Sequence, residues 1–324
     1  MKNDLNTEND SSLSILDQRP DFAFHNIKFC PFCGDSKKKE SNSFKKLGHT
    51  FCWEECVNCG LIYQNPRLTK ESLSLLYQSA NFWRGVAVDE KERILGYDNY
   101  LADEEIRICN ERAKVRYLSR LLPQHGRILD IACGTGTFLK VAREQGFATA
   151  GIELSEAMST YGREVDHLDI VQGDFENVQP KHGSYDAVTL WNADNIFLEP
   201  KESWRRIHDL LAPDGVFVMN FLENKLLNKF FVGAFSAWRD CHSLYIPCRK
   251  SIRELSRISG FQSCSIRIQW GYFRLDRAIN VLSRLGGRGA GLKAGEMHNL
   301  FFGMVNRVLH VPMPGFFLAV MRKS

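Results

Sequence analysis

Two groups of residues in this chain have the types and the spacing to do chemistry. The first is a pair of C-x2-C-G knuckles, "CPFCG" with Cys30 and Cys33 and "CVNCG" with Cys56 and Cys59, separated by 22 residues. Two residues between cysteines let one tight turn aim both sulfurs at the same ion. The glycine after each pair permits the positive φ that turns backbone amides toward the thiolates. Four soft ligands in this pattern predict a tetrahedral Zn2+ site of the zinc-ribbon type. A site closed by four thiolates leaves no position for a substrate, so its role is structural. Cys52 reads as packed or free, with the alternative of standing in for Cys56 as a donor, and His49 reads as a surface residue.

The second group surrounds "RILDIACGTGTFLKVAREQGFATAGIE", residues 127–153. It reads as a strand, a tight glycine turn, a helix and a second strand that ends in an acid. Asp130 falls at the end of the first strand, with Ala132, Cys133, Gly134 and Gly136 in the turn. Glu153, followed by Leu154, closes the second strand. A dinucleotide fold wants G-x-G-x-x-G and a pyrophosphate on the helix N-terminus. Here Ala132 stands at the first glycine and Leu139 at the third, and an acid at 130 repels a pyrophosphate. S-adenosylmethionine carries an ammonium and a sulfonium and no phosphate, and a carboxylate beside the turn favours those charges. Glu153 can accept both ribose hydroxyls. In "VQGDF", after a third strand, Asp174 is placed to accept from the adenine amine and Phe175 to pack on the ring. Three acids in register at the ends of successive strands are the argument for this cofactor over a dinucleotide.

These residues resemble the class I S-adenosylmethionine-dependent methyltransferases. "LDIACGTG" is similar to the family's glycine-rich motif, "YDAVTLWNADNIF" to its fourth strand, "LLAPDGVFVMNF" to the turn into its fifth, and "FFLAVMRK" to its antiparallel last strand. The ribbon running into "CGLIYQNPR" resembles a bacterial subgroup with the same head, whose members serve polysaccharide, sugar or secondary-metabolite pathways. The resemblance implies an α/β fold: a Rossmann-like doubly wound seven-stranded sheet, last strand antiparallel, with a small N-terminal zinc ribbon. Two positions depart from the family. Ala132 replaces a glycine, and the turn survives this if φ there is negative. Asn195 and Ile196 stand where the related pattern has Glu-His, the His being its base.

Methyl transfer from a sulfonium is an in-line displacement, so the protein must align the acceptor and accept a proton. Of the nine histidines, His242 is the candidate base, in "WRDCHSLYIPCRKSIRELSRISGF", which resembles the family's H-L-Y-x-x-S element. Tyr245, three residues on, is a candidate for orienting the acceptor. Asp194 and Asn192, at the mouth of the fourth strand, are candidates to face it, and Trp191 to pack against adenine or the core.

The elements that must hold these groups follow from pattern. Residues 1–24 read as a disordered leader, 25–66 as the ribbon, 67–125 as a helical linker or lid, and 126–324 as the methyltransferase domain with a helical insertion at about 275–313. In the lid, Thr69 caps a helix bearing Leu73, Leu76 and Tyr77, and a longer helix carries Ile106, Cys109, Ala113, Tyr117 and Leu121 on one face. The insertion reads as two amphipathic helices, the second with Leu300, Phe301, Met304, Val305, Val308 and Leu309 as its stripe. "GGRGAGLKAG" lies between them as a linker or a phosphate cradle.

Hydrophobic content of 44% and charged content of 25% are those of a globular chain. No apolar run spans a bilayer and the start lacks a secretory pattern, so the expected location is cytoplasmic. From Lys225 onward sixteen lysines and arginines face four acids (Asp240, Glu254, Asp276, Glu296), a balance of +12 within a whole-chain charge of +4. The first 224 residues therefore carry −8. That end predicts an anionic partner: a phosphate-bearing or carrier-linked small acceptor, plausibly a sugar, or a membrane surface touched peripherally. Nucleic acid fits less well, because no N-P-P-Y-type motif follows the fourth strand. A methyltransferase of a small acceptor, an RNA methyltransferase and an inactive cofactor-binding homologue are the readings that the sequence leaves standing.

Overall fold

A computed structural model describes residues 22–46, 49–78, 104–180, 183–223, 242–274 and 308–324. The predicted segments 1–21, 79–103 and 275–307 lie outside the described residues. They include most of the leader, the middle of the lid, and the glycine-rich and Leu300–Val305 stretches of the insertion.

The frame is a seven-stranded sheet. Its strands are β6 (Arg127–Ile131), β7 (Ala148–Glu153), β8 (Ile170–Gln172), β9 (Tyr185–Leu190), β10 (Leu211–Leu222), β12 (Ser263–Arg274) and β13 (Val308–Arg322). Their spatial order is β8-β7-β6-β9-β10-β13-β12. β13 is antiparallel to both of its neighbours, and the strands from β8 to β10 pair in parallel. This is the predicted doubly wound sheet with one reversed strand. The order reverses between β6 and β9, and such a switch point opens a crevice at the carboxyl ends of the strands.

Both faces of the sheet are covered, so the central strands read as unbroken apolar runs. Ile128, Val216 and Val218 pack on one side with α2 (Glu104–Leu121) and α3 (Thr137–Glu144). Leu129, Ile131, Val188, Phe217 and Met219 pack on the other, with α5 (Pro200–Leu210) and α6 (Arg249–Ile258). α3 starts directly after Gly136, whose φ of 78° no β-carbon-bearing residue adopts cheaply. It also buries Phe138, Leu139, Val141 and Ala142.

The head is a four-stranded antiparallel sheet of β2 (Lys38–Lys46), β3 (His49–Cys56), β4 (Ile62–Gln64) and β11 (Tyr245–Ile246), in the order β11-β4-β3-β2. β11 comes from the distant part of the chain and pairs Tyr245 with Tyr63 and Ile246 with Ile62. Phe32, Phe51 and Tyr63 of the head share one continuous core with Leu129 and Phe217 of the large sheet. Arg67, in β5 (Arg67–Leu68), is 3% exposed. It bonds His25 Nε2 at 2.9 Å and the Leu198 carbonyl at 3.0 Å, and pairs with Glu199 at 3.4 Å.

Three expectations change. Phe22 is buried, and Phe24 and His25 form β1 (Phe24–His25), paired with β5, so order begins before residue 24, where the leader was expected to end. The insertion is not helical at its end: Val308 and Leu309 lie in β13, opposite Arg274 and Phe273. Pro312 and Pro314 exclude a continuing helix there, and an apolar stripe five or six residues long suits either period. In α2 the fully buried row is Glu111, Val115 and Leu118, beside the predicted row rather than on it. A glutamate at the head of that row conceals it from an apolar pattern.

Candidate active site

The crevice at the carboxyl ends of β6, β7 and β9 is a cavity of about 930 Å3, closed above by α1 (Lys70–Gln78) and α2. Asp130 is the last residue but one of β6 and is 2% exposed. Its Oδ1 accepts from the Thr189 hydroxyl at 2.6 Å. Burial pushes the carboxyl up to about 8. The Thr189 bond and Lys114 oppose that shift, while Glu111 and Glu153 add to it. Glu153 is 4% exposed and clamps the turn: Oε2 accepts the Gly134 amide at 2.8 Å and Oε1 the Ser155 amide at 2.7 Å. Burial raises its pKa too, against the pull of the Ser155 and Gly134 amides. Each oxygen keeps a lone pair for a further donor.

The turn corrects one expectation. Ala132 has φ of 55°, in the left-handed region, not the negative value that was expected. The position is the glycine position of the turn, and alanine occupies it at a cost of roughly 1–2 kcal/mol. Cys133 is buried, and burial raises its thiol pKa, so it is a packing residue. Its sulfur would lie 2.7 Å from a β-carbon at Gly151, which explains glycine there.

The other predicted cofactor residues line the same cavity. The Leu154 carbonyl accepts from Gln78 at 3.1 Å and from Gln172 at 3.0 Å. Asp174 pairs with Lys70 at 2.7 Å and accepts the Glu176 amide at 2.9 Å. Phe175 is buried, with Phe197 at 5.7 Å and the Arg206 guanidinium over its ring at 4.8 Å. Trp191 meets Phe138 at 5.5 Å and carries Lys114 over its ring at 4.9 Å.

Asp194, Asn192 and His242 line the same cavity. Burial pushes Asp194 up to about 7, against the backbone amides of Asp194 and Leu222 that bond it. His242 faces Tyr77, ring centroids 6.2 Å apart. Tyr245 is placed elsewhere, outside the cavity lining. It lies in β11 and its ring meets Phe32 at 4.9 Å. Burial holds its hydroxyl well above the ordinary value. It is therefore a core residue of the head rather than a group that orients an acceptor.

Several lining residues carry no sequence motif. Glu111 and Lys114 form an ion pair of 2.8 Å with both side chains 9% exposed. Asn220 donates to Asn192 at 2.7 Å and to Gln269 at 3.1 Å, linking β10 to the loop after β9 and to the middle of β12. Asn220 was findable, since an amide inside "GVFVMNFL" breaks an otherwise apolar strand. Glu111 was findable only once its helix face was known.

The four knuckle cysteines converge as predicted. Their sulfurs lie within 4.8 Å of one another, with Cys30 and Cys59 3.6 Å apart and Cys33 and Cys56 3.5 Å apart. Zn–S bonds of about 2.3 Å in a tetrahedron place sulfurs about 3.8 Å apart, so the group fits zinc. Gly34 and Gly60 have φ of 79° and 74°. Each donates its amide to the carbonyl of its knuckle's first cysteine at 2.9 Å. Burial pushes Cys56 up to about 11, and contact with the Cys30 thiol, then burial, raises Cys59. Thiols so crowded ionise together only around a cation. Cys52 is outside the cluster, and His49 is exposed against Phe24 at 4.5 Å.

Comparison with known protein families matches residues 102–283 to the methyltransferase domain. The chain belongs to this family. YqeM of Bacillus subtilis, which carries a provisional methyltransferase name, is 27% identical over 139 residues, 40% of this chain and 56% of its own. A dTDP-4-amino-2,3,4,6-tetradeoxy-D-glucose N,N-dimethyltransferase of Saccharopolyspora spinosa is 31% identical over 132 residues, 37% of this chain and 51% of its own. The chain thus spans about half the length of the curated relatives it matches. Among solved structures, a possible histamine N-methyltransferase of Thermotoga maritima is 16% identical with a TM-score of 0.45, over 68% of this chain and 91% of that one. The methyltransferase domain accounts for the sheet order and the crevice. The match begins at α2 and leaves the cysteine head outside it. Among the described residues no helix is long and apolar enough to cross a membrane.

Proposed function

We propose that this methyltransferase domain transfers the S-methyl group of S-adenosylmethionine to a small or carrier-linked acceptor, with a sugar as the acceptor class. The pair of buried carboxylates, Asp130 and Glu153, on either side of the glycine turn carries the reading. A phosphate has no counter-charge between them, whereas an ammonium and a ribose diol do. In this reading Asp130 takes the methionine ammonium, Glu153 adds ribose hydroxyls to its two amides, and Phe175 and Asp174 take the adenine. Ala132, Cys133, Gly134, Gly136, Leu154 and Trp191 form the walls.

The cofactor supplies an electrophilic methyl group on a sulfonium. This chain supplies alignment, exclusion of water beneath α1 and α2, and a home for the acceptor's proton. Bound there, the cofactor would give its methyl carbon to the acceptor and keep the electron pair of the carbon–sulfur bond on sulfur. The acceptor's proton goes to Asp194, whose raised pKa suits a base at neutral pH. His242, which lines the same cavity, is the alternative base. Asn195 and Ile196, where Glu-His was expected, do not remove the function, because Asp194 supplies a base one residue earlier. The amino-sugar methyltransferase among the relatives supports the acceptor class.

The test is calorimetry with S-adenosylmethionine, followed by transfer of a labelled methyl group to a panel of nucleotide-linked sugars. Wild type should bind the cofactor, and Asp130→Ala and Glu153→Ala should weaken binding at least tenfold. Equal affinity in all three proteins removes the assignment of the site.

A further inference from the structure

A second cavity, of about 480 Å3, lies between α2 and the β12–β13 pair, and it adjoins the first. Lys114, Trp191, Gln269 and Tyr272 line both. Its charge is one-sided. Arg116, Arg120, Arg267 and His310 line it together with Lys114, which is paired with Glu111, and among the described residues no aspartate or glutamate lines it. Among the described residues neither Arg116, Arg120 nor Arg267 has a carboxylate partner. Arg116 donates to the Tyr272 hydroxyl at 3.2 Å, and Arg267 lies 3.7 Å over the Tyr117 ring. Ring stacking and a neutral acceptor hold these guanidinium groups in place while leaving their charge uncompensated.

The cavity also has an aromatic shelf. His310 sits 5.4 Å from Trp270 and 4.6 Å from Tyr272, the three rings forming a run along its outer side. Trp270 is 55% exposed, an uncommon setting for so large a ring. The register of β12 against β13 shifts between Ile268 and Trp270. Such an irregularity re-aims the side chains beside it, here Gln269 at the boundary between the cavities and Trp270 at the rim. Free guanidinium forks suit phosphate oxygens, and exposed rings suit a nucleobase.

We propose that this second cavity binds the nucleoside diphosphate of a nucleotide-linked acceptor, with the phosphates on Arg116, Arg120 and Arg267 and the base on Trp270 and His310. The group attached to the second phosphate then passes Trp191 and Gln269 into the larger cavity, toward Asp194. The inference rests on the proposed methyl transfer for its purpose, but not for its ligand. It joins Arg267 of the basic C-terminal third to Arg116 and Arg120 of α2.

Calorimetry on the full chain tests it, with ADP, CDP, GDP, UDP and dTDP as probes, in the absence and in the presence of saturating S-adenosylhomocysteine. Inorganic pyrophosphate and the matching nucleosides separate the two halves of the ligand. At least one diphosphate should bind, and Arg116→Gln with Arg267→Gln should weaken it tenfold or more, two lost charged hydrogen bonds being sufficient for that. Trp270→Ala should weaken the nucleotide and leave pyrophosphate unchanged. All of these side chains are at the surface, and circular dichroism verifies the fold of each variant. Binding of no diphosphate, or binding that survives the double substitution, overturns the proposal. So does preference for an anionic phosphatidylserine vesicle or a steeply salt-dependent RNA 20-mer over every nucleotide. Failure of S-adenosylhomocysteine to bind overturns the reading of the first cavity instead, and the nucleotide titrations without it still decide the second.

Discussion

Replacing Asp130 by asparagine isolates the electrostatic cost built into the crevice. The carboxyl has an ordinary pKa near 3.8 and is pushed up to about 8 in the folded protein, chiefly by burial. A carboxyl whose folded pKa is raised costs nothing below its unfolded pKa. It destabilises progressively as pH rises toward the folded value, and the cost is constant above it. Between pH 5 and pH 8 that amounts to nearly three units at about 1.4 kcal/mol each, or about 4 kcal/mol. Asparagine keeps an oxygen for the Thr189 hydroxyl, 2.6 Å from the carboxylate in the wild type, and carries no charge. Urea unfolding at pH 5, 6, 7 and 8 should therefore show the variant gaining on wild type by about 4 kcal/mol across the range. Contributions from Glu153 and Asp194 are common to both proteins and cancel to first order. The same group should make cofactor binding release protons. At pH 7 Asp130 is mostly neutral, and an ammonium beside it drives the proton off, close to one per cofactor bound. Calorimetry in two buffers of different ionisation enthalpy reads that number directly. Parallel stability–pH curves for the two proteins, or binding with no proton release in wild type, would refute the reasoning.

Ala132→Gly relieves the left-handed strain at φ 55° and loses part of the gain to glycine's chain entropy. A net stabilisation of about 0.5–1 kcal/mol is expected, seen as a raised Tm, and a lowered Tm contradicts it. Metal analysis of denatured protein should find about one zinc per chain, and Cys59→Ser should lose the metal together with several degrees of Tm; a metal-free wild type sinks the zinc assignment. With an acceptor in hand, turnover should rise with pH through about 7 as Asp194 ionises, and Asp194→Asn should lose 10²-fold or more together with that limb. Retention of the limb in Asp194→Asn moves the role of base to His242.

The parts of this fold that were legible in the sequence are those fixed by local chemistry. The knuckles were readable because zinc geometry constrains two residues between cysteines and a glycine after them. The turn from Asp130 to Gly136 was readable because positive φ and a buried acid leave few options. Long-range pairing left no such mark. Tyr245 belongs to a sheet whose nearest strand, Ile62–Gln64, comes far earlier in the chain, and H-S-L-Y looked like an active-site element because nothing local records that partner. The β12–β13 pair was obscured for a related reason: a short apolar run that ends in two prolines has no decisive period. Glu111 and Lys114 escaped because a buried ion pair looks like a solvated helix face until the packing is known.

Through these long-range contacts the head bears on the site. The second knuckle touches the chain just beyond His242 at two points: Cys248 Sγ meets the Cys59 carbonyl at 3.4 Å, and Lys250 Nζ bonds the Asn58 carbonyl. Gln64, in β4, donates its amide to the Leu244 carbonyl at 2.9 Å, and the Leu244 amide reaches the Asn195 carbonyl at 3.4 Å. From the other side Arg67 holds the Leu198 carbonyl. The two loops that carry the candidate bases, Asp194 and His242, are thus tied to each other and to the cysteine cluster by backbone bonds. A metal held by the four thiolates, with no open coordination position, would contribute here by rigidity. It would fix the strand β4 on which β11 is laid, and β11 follows closely on His242 and Ser243, which line the cavity. None of the described residues among 25–66 lines the cavity, so the head acts from behind, as a buttress for the loops of Asp194 and His242 that do line it.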